Sequence, residues 1–212
     1  MQRELLRIPD RFLGAEVERI HCVPLRKIVS RYFERWKETG AKGWGLVLSG
    51  PNGVGKSWAL ASMLIHAFDH RLVRAGLFVL AEEFFRLGNP MAHVGLGDEA
   101  YTEGGEQTWR DYYMEVPLLA VCDLGKEDRR GKLADTAPLT LGSILRARVQ
   151  KRLPTLFDTN LSTADEGENT VRAVYGDSIH DLMQECEVFV GVTGKSLRKI
   201  AQQKMKDRLT QE

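Results

Sequence analysis

The stretch GLVLSGPNGVGKSWAL, residues 45–60, decides the fold. It opens on an evenly apolar run, turns through glycines and closes on a helical pattern. Gly50, Gly55, Lys56 and Ser57 satisfy the spacing G-x-x-x-x-G-K-[ST] of a phosphate-binding loop. The chemistry demands these residue types. Glycines let the backbone curl until successive N–H groups face phosphate oxygens. The helix that follows adds the partial positive charge of its N-terminus. In such a loop Lys56 reaches the β- and γ-phosphates and the Ser57 hydroxyl holds Mg²⁺. Gly50, Pro51, Asn52, Gly53, Val54, Gly55, Lys56 and Ser57 together are therefore the candidate ATP site. A glycine-rich turn without a ligand is the plain alternative, and the strand–loop–helix context argues against it.

Four more short apolar runs lie outside this loop: GLFVL (76–80), LLAVC (118–122), TLFDT (155–159) and CEVFVGV (186–192). Each is too short and too evenly apolar for a surface helix, so each predicts a strand. Helical patterns separate them at 25–38, 56–69, 81–87 with 106–115, 139–152 and 170–185, and a last helix spans 196–209. Alternating strands and helices predict an α/β fold with a parallel sheet covered on both faces. The segment 88–105 has no period and is rich in glycine, which predicts a long loop. Nothing reads as a linker, so the chain is taken as one domain.

Ligands of open α/β sheets bind at the C-terminal ends of strands. LLAVCD ends in Asp123, the expected place for an acid that helps to hold Mg²⁺. TLFDTN ends in Asp158, Thr159 and Asn160. Ser49 with Gly50, Asp123 and Asn160 are thus expected to converge on one phosphate, with Asn160 orienting the attacking water.

Bulk properties exclude several classes. The net charge is +1, so nucleic-acid contact would need local patches. GKEDRRGK (125–132), RARVQKR (146–152) and the terminal SLRKIAQQKMKDR (196–208) are such patches. Solvated helix faces explain each of them as well. Trp109, Tyr112 and Tyr113 suit base stacking, and core packing at least equally. Cys22, Cys122 and Cys186 are scattered and odd in number, which predicts no disulfide framework and a reducing cytoplasm. His66 and His70 share a helix face but have no third ligand close in sequence. No apolar run reaches membrane-spanning length, so no membrane partner is expected.

The order of IPDRF (8–12), GPNGVGKS (50–57), LLAVCDLG (118–125), RLPTLFDTNLS (152–162) and GKSLR (194–198) resembles the DnaC/DnaI/IstB-like AAA+ ATPases. These are bacterial and phage helicase loaders and transposition helper ATPases. The resemblance runs from about Ile8 to Arg198. It implies an AAA+ P-loop fold with a five-stranded parallel sheet flanked by helices and a minimal C-terminal lid. On this frame residues 1–43 are a helical lead-in, 44–194 the α/β core and 195–212 the C-terminal helix. Gly50 to Ser57 matches the Walker A loop, Asn160 sensor 1 and Arg198 sensor 2. Lys56, Asp123, Asn160 and Arg198 become the catalytic candidates, and Ser57 with Asp123 the Mg²⁺ ligands. The resemblance further implies ATP at a subunit interface of a homo-oligomer and single-stranded DNA in its channel. A replicative helicase, or another replication or transposition protein, would be the partner. The segment 88–105 lies where an inserted DNA-contacting element would sit.

The chain departs from that pattern in four places. Cys122 stands where the family has the first of two acids, leaving Asp123 as the second. A neutral thiol is a poor ligand for a hard cation. Asp158 replaces a more usual Thr, adding negative charge near the site. YGDSIHDLMQE (175–185) carries no arginine finger, and only Arg172 precedes it. On this frame the residues before 44 are expected to leave no room for the N-terminal helicase-binding domain that such loaders often carry. The expectation is a weak ATPase of DNA replication, cytoplasmic and helicase-loader-like. The alternative is a nucleotide-dependent DNA-binding or assembly module that hydrolyses little. A small-molecule P-loop kinase ranks last, because no Arg-rich lid is visible.

Overall fold

Each apolar run becomes a strand because both of its faces find a partner layer. The computed structural model describes residues 5–88, 99–102, 105–127, 132–164 and 166–210. The strands in chain order are β1 (Gly45–Ser49), β2 (Gly76–Leu80), β3 (Glu99–Thr102), β4 (Gly105–Thr108), β5 (Leu118–Leu124), β6 (Thr155–Thr159) and β7 (Glu187–Gly191). The helices are α1 (Val23–Glu34), α2 (Lys56–Asp69), α3 (Ala81–Gly88), α4 (Trp109–Glu115), α5 (Lys132–Gln150), α6 (Val171–Tyr175), α7 (Asp177–Cys186) and α8 (Leu197–Thr210). Five strands form one parallel sheet in the order β2-β5-β6-β1-β7. The phosphate-loop strand β1 therefore sits between β6 and β7.

Side chains alternate across the sheet with the strand period of two. Leu46, Leu48, Phe78, Leu118, Ala120, Cys122 and Leu156 face the layer that contains α1 and α2. Val47, Leu77, Val79, Leu119, Val121 and Phe157 face the layer built from α3 to α7. Burial on both faces explains why these strands read as continuous apolar runs rather than alternating ones.

One irregularity positions the site. Val121 pairs with Phe157, and the next pair is Leu124 with Thr159. Three residues of β5 thus advance against two of β6, which is a β-bulge. Asp123 takes up the extra residue with φ 64°, a left-handed conformation uncommon outside glycine. The bulge brings Cys122 and Asp123 together opposite Asp158.

Several expectations on element bounds need correction. The helix expected over 106–115 starts only at Trp109, because Gly105–Thr108 pairs as β4 with β3. Thr108 caps that helix by accepting from the Asp111 N–H. The expected 88–105 loop therefore contains part of a hairpin, while 89–98 and 103–104 lie outside the described residues. The helix expected over 170–185 is two helices, broken at Gly176 with φ 88°. The helix expected from 139 begins at Lys132 and carries Pro138 inside it.

Arg148 ties the far end of the sheet together. It is fully buried on α5. Its guanidinium donates to the carbonyls of Tyr113 (2.7 Å), Val116 (2.8 Å) and Pro154 (2.7 Å) and to Thr155 Oγ1 (2.9 Å). Five fixed donors suit such an array of acceptors. Arg148 is consequently not part of a basic surface, whereas Lys151 and Arg152 of the patch RARVQKR are exposed. Arg146 also donates to Ser178 Oγ at 3.0 Å, and Lys151 pairs with Glu115 at 3.0 Å.

Candidate phosphate and metal site

The loop after β1 curls as its glycines require. Gly53 and Gly55 have φ of 83° and 100°, where side chains are strained. A Cβ on Gly50 would lie 2.1 Å from the Val192 carbonyl oxygen, and one on Gly53 would lie 2.3 Å from Ser196 Oγ. Both glycines thus have close tertiary neighbours as well as unusual torsions. The Leu197 N–H donates to the Gly53 carbonyl at 2.8 Å, so the start of α8 rests on the loop. Arg198 follows on that first turn and is exposed.

Lys56 opens α2 and is only 7% exposed. Its Nζ donates to the carbonyls of Gly50 (2.7 Å) and Pro51 (2.9 Å) and to Asn160 Oδ1 (2.9 Å). Burial lowers its pKa, and the negative charge of Asp158 opposes the shift. Asn160 Nδ2 in turn donates to Asn52 Oδ1 at 2.9 Å. Lys56 thus joins the loop to Asn160 at the end of β6, and Asn52 joins them.

The acids are arranged differently from the expectation. Asp158 is fully buried on β6 and faces the α2 side. It accepts from the Asp123 backbone N–H and from the Cys122 thiol, whose Sγ lies 3.6 Å from Oδ2. Burial raises the Asp158 pKa, while the Asp123 N–H, Ser57 and the Lys56 charge oppose the rise. Burial likewise pushes the Cys122 thiol up, so it stays protonated at neutral pH. The Asp123 carboxylate lies nearer the surface and pairs with Lys126.

Ligand atoms of Cys122, Asp123 and Asp158 all lie within 4.8 Å of one another. Among the described residues they are the one cluster of that composition. The donor set fits Mg²⁺ through its oxygens, because two carboxylates, those of Asp123 and Asp158, lie close together there. The thiol does not suit that ion. Asp158 is the member that the reading of motifs missed as a ligand. The signal was a carboxylate in an otherwise apolar strand, next to a strand lacking one.

Other candidates fall away. Tyr113 is fully buried, with Trp109 and Tyr112 packed against the same core, so these rings serve packing. The His66 and His70 rings stack at 3.9 Å without a third metal ligand among the described residues. Arg172 is held by Asp177 (2.9 Å) and Asp181 (3.5 Å) on the neighbouring helix. Glu127, also unforeseen, is buried and accepts from Tyr175 Oη and from the Gly125 N–H, fixing the turn after β5. The middle of the patch GKEDRRGK, residues 128–131, lies outside the described residues. No helix among the described residues is long and apolar enough to cross a membrane.

No family model matches the chain. Among curated proteins, the replicative helicase loader DnaI of Bacillus subtilis (strain 168) is 28% identical over 135 residues, which is 63% of this chain. The match spans only 38% of that loader's length. Among solved structures, a crystal structure of DnaI superposes with TM-score 0.61 at 24% identity, covering 89% of this chain and 93% of the other. The DnaC helicase loader gives TM-score 0.67 at 18% identity, covering 87% and 100%. The replication initiator DnaA bound to AMPPCP and single-stranded DNA gives 0.57 at 14%, covering 92% and 55%. The chain has the AAA+ fold of these proteins, and its likeness is to the DnaC and DnaI loaders.

Proposed function

We propose that this chain binds ATP with Mg²⁺ at the Gly50–Ser57 loop and acts as a helicase-loader-like factor of DNA replication. One observation carries the reading. The buried Lys56 ammonium, bonded to Asn160, and the paired carboxylates of Asp123 and Asp158 lie where β1, β5 and β6 end, in a fold like that of DnaI. Nucleotide would take the Lys56 donors now satisfied by Gly50, Pro51 and Asn160. Asn160, freed from Lys56, would stay oriented by Asn52 and present its amide to a water. Ser57 and a carboxylate would hold Mg²⁺, which supplies charge neutralisation at the phosphates. Asp123 at the mouth would accept the water's proton, and Arg198 would sense the γ-phosphate from α8. A replicative helicase, single-stranded DNA and further copies of the chain, with ATP between subunits, are the proposed partners.

Two contacts favour the alternative of slow hydrolysis. Asp123 is engaged by Lys126, and Arg172 is held within its own chain. A nucleotide-dependent assembly module would need neither group free.

The test is nucleotide affinity, followed by ATPase with and without single-stranded DNA and a replicative helicase. Lys56→Ala should weaken ATP binding by about tenfold or more, since charge-assisted hydrogen bonds contribute about 1.5–3 kcal/mol. Unchanged affinity would remove the basis of the proposal. Activity that ignores DNA and helicase but phosphorylates a small molecule would replace it with a kinase.

A further inference from the structure

We propose that Asp158 is the carboxylate that faces Mg²⁺ in this protein, and that the metal acid has moved from β5 to the neighbouring strand β6. This rests on the nucleotide-binding reading above. It reassigns a role that the motif spacing gives to β5, where Cys122 now stands.

Three observations carry it. First, strand parity and the bulge place Cys122 and Asp158 on the same face of the sheet, the face toward α2. Their side chains are in contact, with Sγ 3.6 Å from Oδ2. An oxygen supplied from β6 therefore reaches almost the same place as one supplied from position 122. Second, the Ser57 hydroxyl acts on the ionisation of both side chains, favouring the charged form of each. Ser57 is the loop residue whose oxygen holds the cation in P-loop proteins. Third, Asp158 is fully buried in a strand that is otherwise apolar apart from its threonines. A buried carboxylate is costly unless something compensates it. The Asp123 N–H, Ser57, Cys122 and Lys56 do so in part.

The exchange accounts for Cys122 as well. Two carboxylates in contact at this depth would repel. A small neutral thiol fills the space beside Asp158 and donates to it. Asp123 is then left for the water, since its own carboxylate lies outward toward Lys126. The acid pair is complete, split across two strands.

The experiment compares wild type, Asp158→Asn, Cys122→Asp and the exchange Cys122→Asp with Asp158→Thr. A fluorescent ADP analogue is titrated in EDTA and again in Mg²⁺, and the ratio of the two affinities is read. Bound Mn²⁺ is counted by electron paramagnetic resonance. Asp158→Asn should keep its affinity in EDTA and lose about tenfold or more of the Mg²⁺-dependent gain, as loss of a metal-site partner does. The double exchange should recover the gain, because it returns one carboxylate to the same spot. An Asp158→Asn protein with the full Mg²⁺ gain and wild-type Mn²⁺ binding would overturn the assignment. If Asp158→Asn does not fold, the exchange decides: a folded double variant without the gain refutes the assignment, and one with the gain supports it. Wild type that binds no nucleotide in either buffer overturns this inference and the proposed function together.

Discussion

Restoring an acid at position 122 should harm the protein rather than improve it. Cys122→Asp puts a second carboxylate within about 3.6 Å of Asp158, at a place where both side chains are fully buried. Two unit charges at that separation repel by about 4–5 kcal/mol at an effective dielectric of about 20. The chain can escape by keeping one carboxyl protonated. At pH 7 that costs about 4 kcal/mol, from about 1.4 kcal/mol for each unit above a reference near 4. Both routes give a loss of about 4 kcal/mol, a large share of a domain's stability. The thiol's donation to Asp158 is lost as well. Urea denaturation at pH 7 in EDTA should show the loss as a lower midpoint with an unchanged slope. Protonation relieves the repulsion, so the gap to wild type should narrow at pH 5. Millimolar Mg²⁺ should recover part of it at pH 7. A variant as stable as wild type at pH 7 without metal would refute the placement of Cys122 against Asp158.

Three further outcomes test other parts of the structure. Arg148→Ala strands three buried carbonyls and the Thr155 hydroxyl, and should cost about 3–6 kcal/mol by denaturation. Gly53→Ala meets a left-handed φ of 83° and the Ser196 hydroxyl, and should cost about 1–2 kcal/mol while weakening nucleotide binding. Adding Ser196→Ala should relieve the contact but not the torsional strain. Glu187 is buried and its pKa is held well above the usual carboxylate value by that burial, despite Arg148 nearby. Its folded pKa is the raised one, so wild-type stability should fall as pH climbs above about 4.5. Glu187→Gln should flatten that slope and melt higher at pH 8, and equal slopes in the two proteins would count against it.

Much of this protein is written locally. The loop spacing, the strand before it and the helix after it are contiguous, so residues 45–60 alone carry the full pattern of a phosphate loop. The five sheet strands were legible because burial on both faces makes each one continuously apolar. Element ends were less legible. The hairpin of β3 and β4 forms from polar segments that have no strand pattern in isolation. Gly176 splits one periodic helical stretch into two helices.

The acids of β5 and β6 show where linear reading stops. Against the family pattern it resembles, LLAVCD is a strand that lacks one of two acids, and Asp158 is an extra charge on another strand. Those two facts lie 36 residues apart and have no common spacing rule. Parallel pairing of β5 with β6, and one bulged residue at Asp123, put them in contact. The residue types set which chemistry was available. Sheet register decided which carboxylate stands beside Ser57, because neighbouring strands lie close enough for their side chains to exchange places.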